Sequence, residues 1–405
     1  MSMKSIRLLI VAGLALAITV PVMAQSANSP VHLNNRLRLG YDDNVYQVGD
    51  PTEKAGGLSK KDSLRIIEEL ELLVALNMER TYLGLRYRPS FVWYEDRADD
   101  DTELLHDLDF NFTYNFTPVL ALSLSDNLRA SELPELHDEN YIVREHDDNI
   151  YNSAIATLTY AIRPETRIDL SGRVITMVYD SKSPAKENGD YYSLVGGLTL
   201  RQQLASLTSL SGDLRYQVLT YNKAKKINAR DADTIFAGVG AEQTFSPKMI
   251  GSLRAGISSR SYDDSRYDDQ NMPYGEGSIT FLPSPATRIT ASASYSIYES
   301  DVERYLSQNR TYFSLSLAHD ITAKLNFYAS SAFSMGAYEK DYAMDADLYD
   351  ADENSYLVSL RLSYRINRIN WIEVGYQFVK LDSEIKNRES YERNRVDIGW
   401  KIQLF

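Results

Sequence analysis

In the stretch HDLDFNFTYNF, apolar and polar residues take turns: Leu108, Phe110, Phe112, Tyr114 and Phe116 share one face, and Asp107, Asp109, Asn111, Thr113 and Asn115 share the other. A period of two marks a β-strand with one oily and one wet face. The same rhythm returns in ITASASYSIY, where Ile289, Ala291, Ala293, Tyr295 and Ile297 alternate with Thr and Ser. It returns again near the end, where Tyr356, Val358, Leu360, Leu362 and Tyr364 alternate with Leu357, Ser359, Arg361, Ser363 and Arg365. A soluble β-sandwich shows such alternation too, so the connections must decide. They are long and polar near 42–62, 95–103, 130–148, 180–190, 222–233, 262–273, 299–310, 338–354 and 382–392. Between these, the turns are short: Glu79-Arg80, Thr117-Pro118, RPET at 163–166, SPKM at 246–249, LPSPA at 282–286, DITAK at 320–324 and NRIN at 367–370, with LASLTS near 204 the least distinct.

Strict long/short alternation is the mark of a transmembrane antiparallel up-and-down β-barrel with tight periplasmic turns and large external loops. The spacing predicts about 18 strands, the first near 31–41 and the last near 393–405. A mean hydropathy of −0.35 agrees with this fold, because each strand dilutes its lipid-facing half with lumen residues. The 29 tyrosines suggest aromatic girdles at the membrane interfaces. No cysteine is present, which suits an exported chain.

The start of the chain reads as a secretory signal peptide. Lys4 and Arg7 precede LLIVAGLALAITV, and Val22, Met23 and Ala24 come before Gln25. The expected organisation is a signal peptide at 1–24, a short periplasmic segment at 25–30 and the barrel at 31–405, delivered to a Gram-negative outer membrane. In the last strand, Trp400, Ile402 and Leu404 supply an apolar face, and Phe405 resembles the terminal aromatic that such barrels present to the barrel-assembly machinery. Leu404 is in phase with that face and Phe405 is one step out.

Charge refines the picture. The net charge is −13, yet the acid is concentrated in the long connections, as in YEDRADDDTE and EKDYAMDADLYDADEN, while the strands are net basic. The acidic rim is a solvated surface, or a set of oxygen ligands for divalent cations bridging to lipopolysaccharide. Opposite the lipid-facing phase lie Arg36, Arg38, Arg86, Arg88, Arg173, Arg201, Arg215, Arg254, Arg310, Arg361, Arg365, Arg395 and Lys401, with Glu69, Glu71, Asp107, Asp109, Asp169, Asp213, Glu242, Glu276, Glu373 and Asp397. They predict either ion pairs that brace the wall or a lumen that draws in anions. The channel-lining candidates are Arg86, Arg88, Arg173, Arg201, Arg215, Arg254, Arg361 and Arg365. A barrel this wide encloses water unless a loop narrows it, and the third connection, SELPELHDENYIVREHDDN, is the candidate by analogy with porins.

The segment YDDNVYQ at 41–47 is echoed by HDDNIYN at 146–152 and more loosely by SYDDSRYDDQN at 261–271. Asp42, Asp43, Asp147 and Asp148 are suited to a hard cation, but Asp and Asn also favour strand-to-loop junctions by bonding their own backbone, so no metal is expected. His137, Asp138, His146, Asp147 and Asp148 cluster in the third connection without a nucleophile motif, and no enzyme, cofactor or nucleic-acid module is expected.

The run RLRLGYDDNVYQ, followed by alternating strands to an aromatic end, resembles the putative β-barrel porin type 2 family. The resemblance implies an outer-membrane channel whose favoured role is passage and export of an exopolysaccharide or another anionic hydrophilic solute, working beside periplasmic polysaccharide-export components and among outer-membrane lipids and lipopolysaccharide. A general diffusion porin for small anions and a closed structural or adhesive barrel are the alternatives.

Overall fold

A computed structural model describes residues 29–49, 59–97, 101–131, 149–179, 189–221, 230–300, 302, 305–340, 349–385 and 388–405. The first third of the wall is β1 (Val31–Asp42), β2 (Ser63–Asn77), β3 (Thr81–Tyr94), β4 (Thr102–Thr117), β5 (Leu120–Ser131) and β6 (Asn149–Arg163). The second third is β7 (Thr166–Tyr179), β8 (Tyr191–Ala205), β9 (Thr208–Tyr221), β10 (Ala232–Ser246), β11 (Met249–Tyr262) and β12 (Gln270–Ser284). The ring is completed by β13 (Thr287–Glu299), β14 (Tyr305–Asp320), β15 (Leu325–Lys340), β16 (Ala351–Arg365), β17 (Asn370–Ser383) and β18 (Tyr391–Gln403).

Each strand pairs antiparallel with its neighbours in sequence, and β18 pairs with β1 from Asn34 opposite Gln403 to Asp42 opposite Arg395. The expected 18-stranded barrel is therefore closed, with no unpaired edge. Past the end of β18 the ladder goes on: Leu404 N donates to Leu33 O at 2.7 Å, and Leu33 N donates to Phe405 O at 2.8 Å. The indistinct turn near 204 is a two-residue one, Ser206-Leu207, between β8 and β9. The proposed signal peptide and the third connection lie outside the described residues.

The alternation sorts side chains to the two faces. Leu170, Val239, Leu253 and Ile257 are exposed on the outer wall, where lipid covers them. The tyrosines divide in a way that the girdle expectation did not anticipate. Tyr41, Tyr160 and Tyr364 stand outward near strand ends. Tyr94, Tyr179, Tyr191, Tyr221, Tyr262, Tyr305 and Tyr391 are buried inside, each at the end of its strand next to a long connection. The external mouth thus has an aromatic ring within as well as without, packed edge to face in pairs such as Tyr305–Tyr338, with centroids 5.5 Å apart.

Candidate functional site: the charged lumen

Hairpin registers decide which inward charges meet. With Arg86 opposite Asp109 and Arg88 opposite Asp107, guanidinium and carboxylate fall side by side across β3 and β4. Arg86 Nε donates to Asp109 at 2.7 Å, Arg88 to Asp107 at 2.6 Å, and Arg129 of β5 joins both acids. Across the seam, Arg36 lies 3.6 Å from Glu71 and 3.4 Å from Glu373, while Arg38 pairs with Glu69 and Asp397. Glycines on the inner face make room for these long side chains. A Cβ at Gly40 would lie 2.9 Å from Arg65 Nε, and one at Gly375 would lie 2.7 Å from Asp397 Oδ2.

These walls line a half-open lumen pocket of about 460 Å³. Seven arginines line it, Arg38, Arg65, Arg86, Arg88, Arg129, Arg361 and Arg395, against four carboxylates, Glu69, Glu103, Asp107 and Asp397. Two of the arginines, Arg65 and Arg361, have neither a hydrogen bond nor an ion pair. Arg65 is only 7% exposed, and its buried Nε has no acceptor. A guanidinium held out of water without a bonded carboxylate is costly, and an entering anion would offset that cost.

Above the cavity the first external connection folds inward. Val45, 1% exposed, packs on Ile67, Val92 and Tyr94. Asp42, fully buried, takes Arg393 Nε at 2.9 and 3.0 Å and its terminal nitrogen as well. Asn44 donates to Val48 O and Glu392 O, Tyr391 donates to Gln47 at 3.0 Å, and Gln47 holds φ at 52°, alone among the described non-glycine residues in that region. The YDDNVYQ motif is therefore a fixed inward turn. Of its echo, Asn149 to Asn152 lie within β6. On the far wall, Arg260 binds Glu299 at 2.9 Å and Thr234 at 3.1 Å, and Glu299 reaches Gln217 of β9.

All eight channel-lining candidates share the inward register, and the structure separates them by partner. Arg86 and Arg88 sit in the network above. Arg201 pairs with Asp169 at 2.9 Å, Arg215 with Asp213 at 3.1 Å, and Arg254 with Asp213 and Glu276 at 3.4 and 2.7 Å. Arg173 donates to Ser153, and Arg365 donates to Ala323 O at a short turn. Arg361 alone of the eight combines the cavity with an unpaired charge. Arg65 is absent from the sequence-derived set, although it shares the parity of Glu69 and Glu71. Asp42 and Asp43 are engaged, by Arg393 and Asn394 respectively. Asp147, Asp148, His137, Asp138 and His146 lie outside the described residues, and no group of three metal-binding side chains occurs among the described ones. Of the terminal residues, Trp400 donates to Asn370 at 2.8 Å, Ile402 and Leu404 continue the outward phase, and Phe405 is 41% exposed.

Solved barrels of similar shape include OccAB3 of Acinetobacter baumannii (11% identity, TM-score 0.45, covering 92% of this chain and 99% of that one). A BenF-like porin from Pseudomonas fluorescens Pf-5 gives 10% identity and a TM-score of 0.49, covering 92% and 98%. OpdK of Pseudomonas aeruginosa, solved with vanillate, gives 9% and 0.47, covering 92% and 98%. No curated protein sequence matches the chain. A sequence family does: Putative beta-barrel porin 2 matches residues 208–404, from the first residue of β9 to the edge of the C-terminus, and over that stretch the chain is similar to this porin-like family of barrels.

Proposed function

We propose that the barrel is a passive channel that admits small, hydrophilic anions. The observation that carries this reading is the pair Arg65 and Arg361, two inward guanidinium groups that make neither a hydrogen bond nor an ion pair, in a cavity where arginines outnumber carboxylates. Rings of Arg and Lys favour anions, and a low-dielectric wall focuses their field on the axis. Five of the other candidate arginines are neutralised by wall carboxylates and hold the barrel in shape.

Passage of an exopolysaccharide, the role that the family resemblance implies, calls for a bore open along its length. The arginine-lined pocket of about 460 Å³ in the lumen wall is of the size that suits a small molecule. The inward turn at Asp42–Gln47 narrows the mouth further, so the small-anion reading is the better supported.

The test is the reversal potential of the refolded barrel in a planar bilayer under a salt gradient. An anion-selective current, losing its preference in Arg65→Gln/Arg361→Gln, is the expected result. A cation-selective or unselective current would overturn the proposal. No current at all would favour the closed structural barrel.

A further inference from the structure

The two ends of the barrel carry opposite charge. The eight short connections, taken with the two strand residues on either side of each, hold eight basic residues against three acidic ones, Glu79, Glu165 and Asp320. The long connections at the other end carry the excess acid. Of the eight, Arg163, Arg167, Arg288 and Arg365 lie at the ends of β6, β7, β13 and β16. Arg80, Lys248, Lys324 and Arg368 lie in the turns themselves, and all eight side chains are exposed.

The four on strands face the lumen. Arg163 shares the phase of Ser153, which accepts a bond from the inward Arg173, and Arg167 stands opposite the inward Arg201. Arg288 shares the phase of Ser292 and Ser294, which line a lumen pocket, and Arg365 shares the phase of Arg361. They ring the inside of the mouth and leave the lipid-facing side to apolar residues.

None of the eight takes part in an ion pair, whereas Arg86, Arg201 and Arg254 deeper in the wall each meet a carboxylate. Like charges are even set together. Arg167 faces Arg201 directly across β7 and β8, and Arg365 donates to Ala323 O at 2.9 Å, beside Lys324. Like charges directly opposite one another weaken a ladder, and a mobile anion held between them offsets that loss.

We infer that the periplasmic mouth, where the short turns lie, is a second anion site: a basic vestibule that gathers small phosphates and carboxylates from the periplasm and makes conduction one-sided. The inference rests on the reading of the barrel as an anion channel and adds a direction to it. In a bore that is basic at one end and acidic at the other, a field that drives anions in through the basic end also drives cations in through the acidic end, and the bore fills with carriers. The reverse field empties it. Fixed charge reaches about 10 Å into the opening at 0.1 M salt and about 3 Å at 1 M, so the asymmetry belongs to low salt.

The test is the current–voltage curve of single barrels of known orientation. The chain contains no cysteine, so Ser206→Cys, in the β8–β9 turn, can be biotinylated, and streptavidin added to one chamber then reports where the short turns lie. At 0.1 M KCl the current with the periplasmic side negative should exceed the reversed current about twofold or more, and the two should be equal at 1 M. Tripolyphosphate should block at about tenfold lower concentration from the periplasmic side than from the external one. Arg163→Gln/Arg167→Gln/Arg288→Gln/Lys324→Gln, which breaks no ion pair, should still give a heat-modifiable barrel and should lose both asymmetries. A symmetric current from a barrel whose reversal potential is anion-selective would overturn the vestibule and leave the anion channel standing. Equal block from both sides, or rectification that survives the four substitutions, would overturn it as well. A cation-selective reversal potential would overturn the channel reading itself and the vestibule with it.

Discussion

Removing the carboxylate of Asp42 should be among the most damaging single changes available in this barrel. Asp42 is 0% exposed and Arg393 2%, so neither charge is screened by water. The carboxylate takes Arg393 through both oxygens and accepts the Asn44 N–H at 3.1 Å. Asp42→Asn keeps the shape and the Asn44 bond but leaves the Arg393 guanidinium buried beside Arg65 and Arg395 with nothing to offset it. Breaking one side of a buried ion pair costs about 3–5 kcal/mol, which is at the far end of what single substitutions do. Asp42→Asn/Arg393→Met removes both charges, so its loss should be about 1 kcal/mol, and the cycle should yield a coupling of about 2–4 kcal/mol. The assay is reversible urea unfolding from lipid vesicles, followed by fluorescence of Trp93, Trp371 and Trp400. A loss below about 1 kcal/mol for Asp42→Asn, or a double variant no more stable than the single one, would refute the reasoning.

Arg65→Met should raise the stability of the barrel by about 1 kcal/mol or more, since it removes an unpaired buried cation, while its anion preference falls; a stability loss in the same urea titration would count against an empty anion site. Gly399→Ala should cost about 1–3 kcal/mol, because the new Cβ would overlap Arg38 Cγ and approach Leu37 O to 3.0 Å. Gly172→Ala, with nothing within 4 Å on the outer wall, should stay within about 0.5 kcal/mol of the parent in the same assay. Val45→Gly should loosen the inward turn from Ile67, Val92 and Tyr94 and raise single-channel conductance; an unchanged conductance would place the narrowest point elsewhere.

The wall was legible because its signal is local. Period-two alternation and turn length act within a dozen residues, so both the strand number and the face taken by Arg86, Arg173 or Arg361 can be read along one strand. Pairing is not local. That Arg201 pairs with Asp169 while Arg361 makes no ion pair depends on the registers between strands and on side-chain reach, neither of which appears in a single strand's pattern. Arg65 escaped notice for a related reason. It lies two residues inside β2, where the strand leaves a long connection and its phase is weakest, although Glu69 and Glu71 share its parity. The inward turn at YDDNVYQ was hidden by its composition, since Asp and Asn read equally well as an exposed junction. Its one apolar member, Val45, was the available clue.

The seam between β1 and β18 also governs when the molecule can come into being. Its hydrogen bonds join Asn34 to Gln403, so the ladder that completes the ring links residues separated by nearly the whole chain. Every hairpin can form from residues close in sequence, and the entropic cost of closing a loop grows only slowly with its length, but this last ladder has no short-range substitute. Until it zips, both β1 and β18 present open edges that would pair with any other strand in reach. Membrane insertion and ring closure are therefore bound together in time, and a chain shortened by one hairpin would have to close on a different register, carrying the inward arginines of β1 out of step with Glu373 and Asp397.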